Sequence, residues 1–75
     1  MLGGRLEFDA GMERYFVRDA DGERGDDLHA GDVIEIHTPH GWAADRIEWD
    51  RRSRRWYFAV SGLDADEVDG ARLKR

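Results

Sequence analysis

The sequence predicts an all-β domain: a small, partly closed antiparallel barrel of five to six strands with at most one helical turn. Three observations predict it. Apolar and polar residues alternate in short runs such as "RLEFD", "RYFVRD", "VIEIHT" and "RIEWD", the period of a half-buried strand. Glycine, aspartate and proline punctuate those runs. Only "SGLDADEVDG" suits a helical turn. A barrel is preferred to an open sheet because closure removes unpaired edges.

In chain order, "RLEFD" sets Leu6 and Phe8 on one face, and "AGME" supplies a turn. "RYFVRD" follows with Tyr15 and Val17 on one side and Phe16 on the other. The stretch "DADGERGDDLHAGD" reads as a long loop tied to the core by Leu28. "DVIEIHT" points Ile34 and Ile36 inward, and "TPHG" turns the chain, proline withholding the amide a central strand would need. "WAADRIEWD" is the longest strand, with Ile47 and Trp49 on one face. "RWYFAV" then places Trp56, Phe58 and Val60 on one side and Tyr57 on the other. In the helical turn Asp64 caps, Glu67 reaches back three residues later, and Gly70 stops the turn. "ARLKR" closes as a short strand with Leu73 inward. The expected core is Leu6, Phe8, Tyr15, Val17, Leu28, Ile34, Ile36, Ile47, Trp49, Trp56, Phe58, Val60 and Leu73.

The 75 residues make one domain, spanning 1–75, near the lower limit for independent folding. There is no cysteine, so neither a disulfide nor a thiolate zinc site staples it. Eight aromatic rings supply the burial such a thin core requires. Twelve basic residues face seventeen acidic ones, for a formal charge of −5, which opposes non-specific nucleic-acid binding. No apolar run approaches the ~20 residues of a membrane span. The start "MLGGRLEF" lacks the basic and long apolar regions of a secretory signal, so the expected location is the cytoplasm.

The stretch "LHAGDVIEIHTPHGWAADRIEWD", followed by "RWYFAV" and "DGARLKR", resembles a family of small domains of unknown function carried mostly by bacterial mobile elements and prophages. The matching residues are Leu28, Gly31, Asp32, Ile34, Trp42, Arg46, Ile47, Glu48, Trp56, Tyr57, Asp69 and Gly70. The pattern of Leu28, Gly31–Asp32, Ile34 and Ile36 is also one that SH3-like barrels show at a diverging turn, so the expected barrel is SH3-like. The resemblance implies a phage or mobile-element setting and a β-barrel shape, and no chemistry. The loop "RDADGERGDD" and the arginine turn Arg51–Arg55 depart from the family pattern.

Chemistry-bearing motifs are sparse. Asp19, Asp21 and Glu23 alternate as in a calcium loop, but the sixth and twelfth places hold Arg24 and Ala30 where glycine and glutamate are needed. His29, His37 and His40 lack ligand spacing, so no metal is expected. Ser53 and Ser61 stand in no nucleophile elbow. No glycine loop opens a helix to cradle phosphate. The expectation is a protein that is not an enzyme and holds no cofactor.

The arginine turn "DRRSRR" connects two strands whose tryptophans, Trp49 and Trp56, are in phase. It reads as a solvated hairpin tip screened by Asp50 and Glu48. Strand parity sends Trp42 and Arg46 to the face opposite Ile47 and Trp49, together with Tyr57, and a bulge near Ala43 and Ala44 would reverse this. Trp, Arg and Tyr dominate binding hot spots. The candidate binding residues are therefore Trp42, Arg46 and Tyr57, bordered by His37 and His40. The preferred functional reading is a binding protein that occupies the surface of a host protein, in the manner of a host-defence inhibitor. The alternative is a binder or sponge for a nucleotide-like small molecule. No specific nucleic-acid or membrane partner is expected.

Overall fold

The computed structural model describes residues 3–74. Seven strands run in chain order: β1 (Gly4–Asp9), β2 (Arg14–Asp19), β3 (Arg24–Asp27), β4 (Val33–Thr38), β5 (Gly41–Asp50), β6 (Arg55–Phe58) and β7 (Arg72–Lys74). A 3-10 turn at Ala65–Val68 separates the last two. All neighbours pair antiparallel in the order β3-β2-β1-β7-β4-β5-β6. β3 and β6 end that order, and no ladder joins them among the described residues. The all-β expectation stands, with seven strands rather than five to six, and the pairing among the described residues does not show the partly closed barrel.

The strand that sequence reading assigns to loop is β3. "RGDD" has no apolar alternation to betray it; its pairing with β2 (Phe16 opposite Asp27, Arg18 opposite Arg24) creates it. Gly25 permits the close approach, since a Cβ there would stand 2.7 Å from the Val17 carbonyl oxygen. β3 also explains Phe16. Its ring faces away from the core, as parity requires, yet it is only 2% exposed, because the Arg24 guanidinium lies 3.9 Å and that of Arg18 5.1 Å from the ring centroid.

The other face of the sheet is the core. Leu6, Tyr15, Val17, Leu28, Ile34, Ile36, Ile47, Phe58, Ala65 and Leu73 form one buried cluster, with Trp56, Val68 and Ala71 packed against it. Three expected core residues lie outside it: Phe8, Trp49 and Val60 are exposed. Phase identified the face without saying where neighbouring strands stop. β7 pairs with β1 only at Gly4 and Arg5, so Phe8 overruns its cover. β4 pairs with β5 only as far as Arg46, so Trp49 has β6 alone beside it. β6 ends at Phe58, and Val60 is already in the following turn.

Asp45 is the one buried charged residue among those described. It takes an inward position on β5 and accepts hydrogen bonds from the amides of Arg46 (2.7 Å), Val60 (2.8 Å) and Ser61 (3.2 Å). That ties the chain leaving β6 to the sheet. The helical turn forms as a 3-10 turn: Glu67 accepts from the Asp64 amide at 2.8 Å, and Gly70 follows at φ 82°, a conformation that favours glycine.

Candidate functional site

The structure divides the five expected binding residues. The β4–β5 register runs unbroken from Val33–Arg46 to Thr38–Gly41, so no bulge occurs at Ala43–Ala44, and Trp42 lies on the outer face, 38% exposed. Its ring meets His37 edge-on at 5.1 Å, with the Lys74 ammonium 4.5 Å and the Arg72 guanidinium 5.9 Å from its centroid. Arg46 sits four residues along the strand, roughly 13 Å away at strand rise, and pairs with Glu48. Tyr57, half-buried, is opposite Glu48. His40 is exposed in the β4–β5 turn, its amide held by Thr38 Oγ1 at 3.1 Å. Trp42 and His37 therefore form one group, and Arg46 and Tyr57 flank Glu48 in another.

A constellation that sequence reading missed lies at the open end of the core face. Trp49 and Trp56 contact each other with centroids 5.2 Å apart, and Phe8 and Tyr15 do so at 4.9 Å. Between these pairs opens a cleft of about 540 Å³. The acids Glu13, Asp64, Asp66 and Asp69 line it together with Ser53, Arg54 and Arg55. A second hollow of about 470 Å³ shares Trp49, Trp56, Glu13 and Arg54 and runs on to Arg14, His29 and Ala30. The Trp56 indole N–H donates to the Glu13 carbonyl at 3.1 Å, joining β6 to the β1–β2 turn and holding the cleft's two sides together. Sequence phase placed these rings on the core face, and the cleft exists because the core ends before they do.

The electrostatics of the cleft are uneven. Burial pushes the Tyr15 hydroxyl up to about 12, with further contributions from the negative charges of Asp69, Asp66 and Asp64. Asp64 pairs with Arg55 at 3.3 Å. Asp66, Asp69 and Glu13 stand in no ion pair among the described residues. The acids acting on Tyr15 are therefore compensated only in part, at Asp64, with Arg54 and Arg55 lining the same cleft.

The arginine tip is a hairpin turn, as expected, but its screening differs. Asp50 accepts from the Arg52 amide at 3.0 Å, and its carboxyl is held below the usual range by hydrogen bonds from the Arg52 amide and Ser53. Glu48, expected at the tip, pairs with Arg46 instead. On the opposite edge of the sheet, Arg24 pairs with Asp9 (2.7 Å) and Asp27 (2.8 Å), which holds the Asp9 carboxyl low. Among the described residues no three histidine or acidic side chains converge as metal ligands would.

A crystal structure of a protein from Ruminococcus gnavus, determined by the Northeast Structural Genomics Consortium, is similar to this chain with a TM-score of 0.78 and 27% identity over 97% of this chain and 99% of that one. No curated protein matches the chain. Residues 4–74 match the family model described as a domain of unknown function, DUF5348. The match takes in every strand and every residue that lines the cleft, and the chain belongs to that family.

Proposed function

We propose that the domain is a non-enzymatic binding module of a phage or mobile element, acting in the host cytoplasm by occupying a host protein. The observation that carries this reading is the aromatic cleft. A domain with so small a core leaves Trp49 and Phe8 more than one-third exposed, beside Trp56 and in a concave site. Large apolar rings gathered in a concavity favour a ligand over water. Asp66, Asp69 and Glu13, which line the cleft with those rings and stand in no ion pair among the described residues, suit a basic side chain, which gains from both ring faces and carboxylates. The partner is therefore an extended protein segment carrying lysine or arginine, laid along the groove in the way aromatic-lined grooves take peptides. Among the described residues no helix is long and apolar enough to cross a membrane, which is compatible with the proposed setting.

The test passes host lysate over immobilised parent domain and over Trp49→Ala, and identifies retained species by mass spectrometry. A discrete protein should be held by the parent and lost by the variant, while the two melt within a few degrees of each other. Basic peptides derived from that protein should then quench tryptophan fluorescence of the parent. Identical retention by parent and variant would remove the cleft from the function.

A further inference from the structure

The outer face of the sheet carries a second feature, independent of the cleft. Register places Arg18 opposite Arg24, Arg5 opposite Arg18, and Arg72 opposite Arg5. Four arginines thus stand side by side in a single row across β3, β2, β1 and β7. Like charges directly opposite one another on a sheet face are destabilising, and this chain has seventeen acids against twelve bases. Its own carboxylates relieve only half of the row. Arg24 is paired with Asp9 and Asp27, and Arg18 with Glu7. Arg5 and Arg72 stand in no ion pair among the described residues.

These two arginines are positioned rather than loose. Arg5 Nη1 donates to the Gly70 carbonyl at 3.0 Å, and the Arg72 guanidinium lies over the Trp42 ring. With Arg18 they wall a hollow of about 350 Å³ whose floor is the backbone of Gly3 and Gly4. A Cβ at Gly3 would meet only the Leu73 carbonyl, at 3.4 Å, so the fold tolerates a side chain there and its absence leaves the hollow open. Asp19 also borders it, but its Oδ1 lies 2.9 Å from where a Gly25 Cβ would stand, which turns the carboxylate toward β3 and away from Arg72. Paired guanidinium forks suit the oxygens of a phosphoryl group. Trp42, 38% exposed, has the Lys74 ammonium 4.5 Å and the Arg72 guanidinium 5.9 Å from its ring centroid, and a flat heterocycle stacking on that ring would lie beside both cations.

We propose that Arg5 and Arg72, in the hollow that Arg18 also lines, bind the phosphates of a nucleotide whose base stacks on Trp42. The hollow has the size of a small-ligand site. The open part of the row is two arginines wide, which fits one nucleotide's phosphates and not a nucleic-acid strand. The formal charge of −5 likewise disfavours a long polyanion.

The experiment titrates the labelled domain with ATP, inorganic tripolyphosphate, adenosine and a single-stranded oligonucleotide, reading amide shifts and calorimetric affinity. ATP should bind more tightly than tripolyphosphate or adenosine, with shifts at Arg5, Arg18, Arg72 and Trp42. Arg72→Ala should weaken ATP at least about tenfold, the loss of one charge-assisted contact, while its melting temperature without ligand stays level or rises because a like-charge neighbour is gone. Gly3→Val should fill the hollow and weaken ATP similarly, and Trp49→Ala should leave it unchanged. No shift at about 1 mM ATP, or tripolyphosphate binding as well as ATP, would overturn the assignment. So would an oligonucleotide that outcompetes ATP, or ATP binding that Trp49→Ala abolishes.

Discussion

Asp45→Ala should destabilise the domain by about 3 kcal/mol. Asp45 is 5% exposed, and its carboxylate receives three amides, of which Arg46 is a sequence neighbour and contributes little to long-range order. The Val60 and Ser61 amides, at 2.8 and 3.2 Å, reach it across 15 and 16 residues. Hydrogen bonds to a charged group contribute ~1.5–3 kcal/mol each, so two give ~3–6. Val60 is 75% exposed, and water can reach its freed amide, which places the cost at the lower end. A domain of this length has a total stability of roughly 4–11 kcal/mol, so the variant should lose a large share of it. Asp45→Asn separates the contributions. Its carbonyl can still accept from Val60, but its amide nitrogen then confronts the Ser61 donor, and the cost should fall to about 1.5–2 kcal/mol. The assay is urea unfolding followed by tryptophan fluorescence, with both midpoints referred to the parent at an unchanged slope. A loss below about 1 kcal/mol for Asp45→Ala, or equal losses for the two variants, would refute the view that this carboxylate anchors the segment leading to the acids of the cleft.

Phe58→Ala, at a fully buried position, should cost ~3–5 kcal/mol, whereas Trp49→Ala should cost clearly less in the same urea experiment; equal losses would return Trp49 to the core. Tyr15, raised to about 12, stabilises the fold fully below the unfolded tyrosine value of ~10 and loses that contribution as pH climbs from there through 12. A 295 nm titration of parent against Tyr15→Phe should show the parent's extra ionisation near the upper end of that range, and ionisation at or below 10 would contradict the burial and carboxylate argument. Duplex DNA should bind no tighter than the non-specific range of about 10⁻⁴–10⁻⁶ M at physiological salt; tight, salt-sensitive binding lost when Arg51, Arg52, Arg54 and Arg55 become alanine would overturn this.

Several features were legible in the chain because they are local. Alternation identified β1, β2, β4, β5, β6 and the inward residues Leu6, Val17, Ile34, Ile36, Ile47 and Phe58, since side-chain direction in a strand has a period of two whatever the strand packs against. The same parity put Trp42 on the outer face. Glu67 and Gly70 marked the helical turn through capping chemistry confined to a few residues.

Other features belong to the assembled sheet. β3 exists through backbone pairing with β2 and through Arg24 covering Phe16, neither of which leaves a pattern in "RGDD". The arginine row needs the register of four strands, two of them drawn from opposite ends of the chain. Periodicity likewise named the face that Phe8 and Trp49 share with the core without saying that β7 and β4 stop short of them. The sequence by itself therefore determined which residues point inward, because that is a property of each strand's own backbone. Where the inward face ends, and so where the cleft opens, was decided only by the tertiary structure, because it depends on how far each neighbouring strand extends.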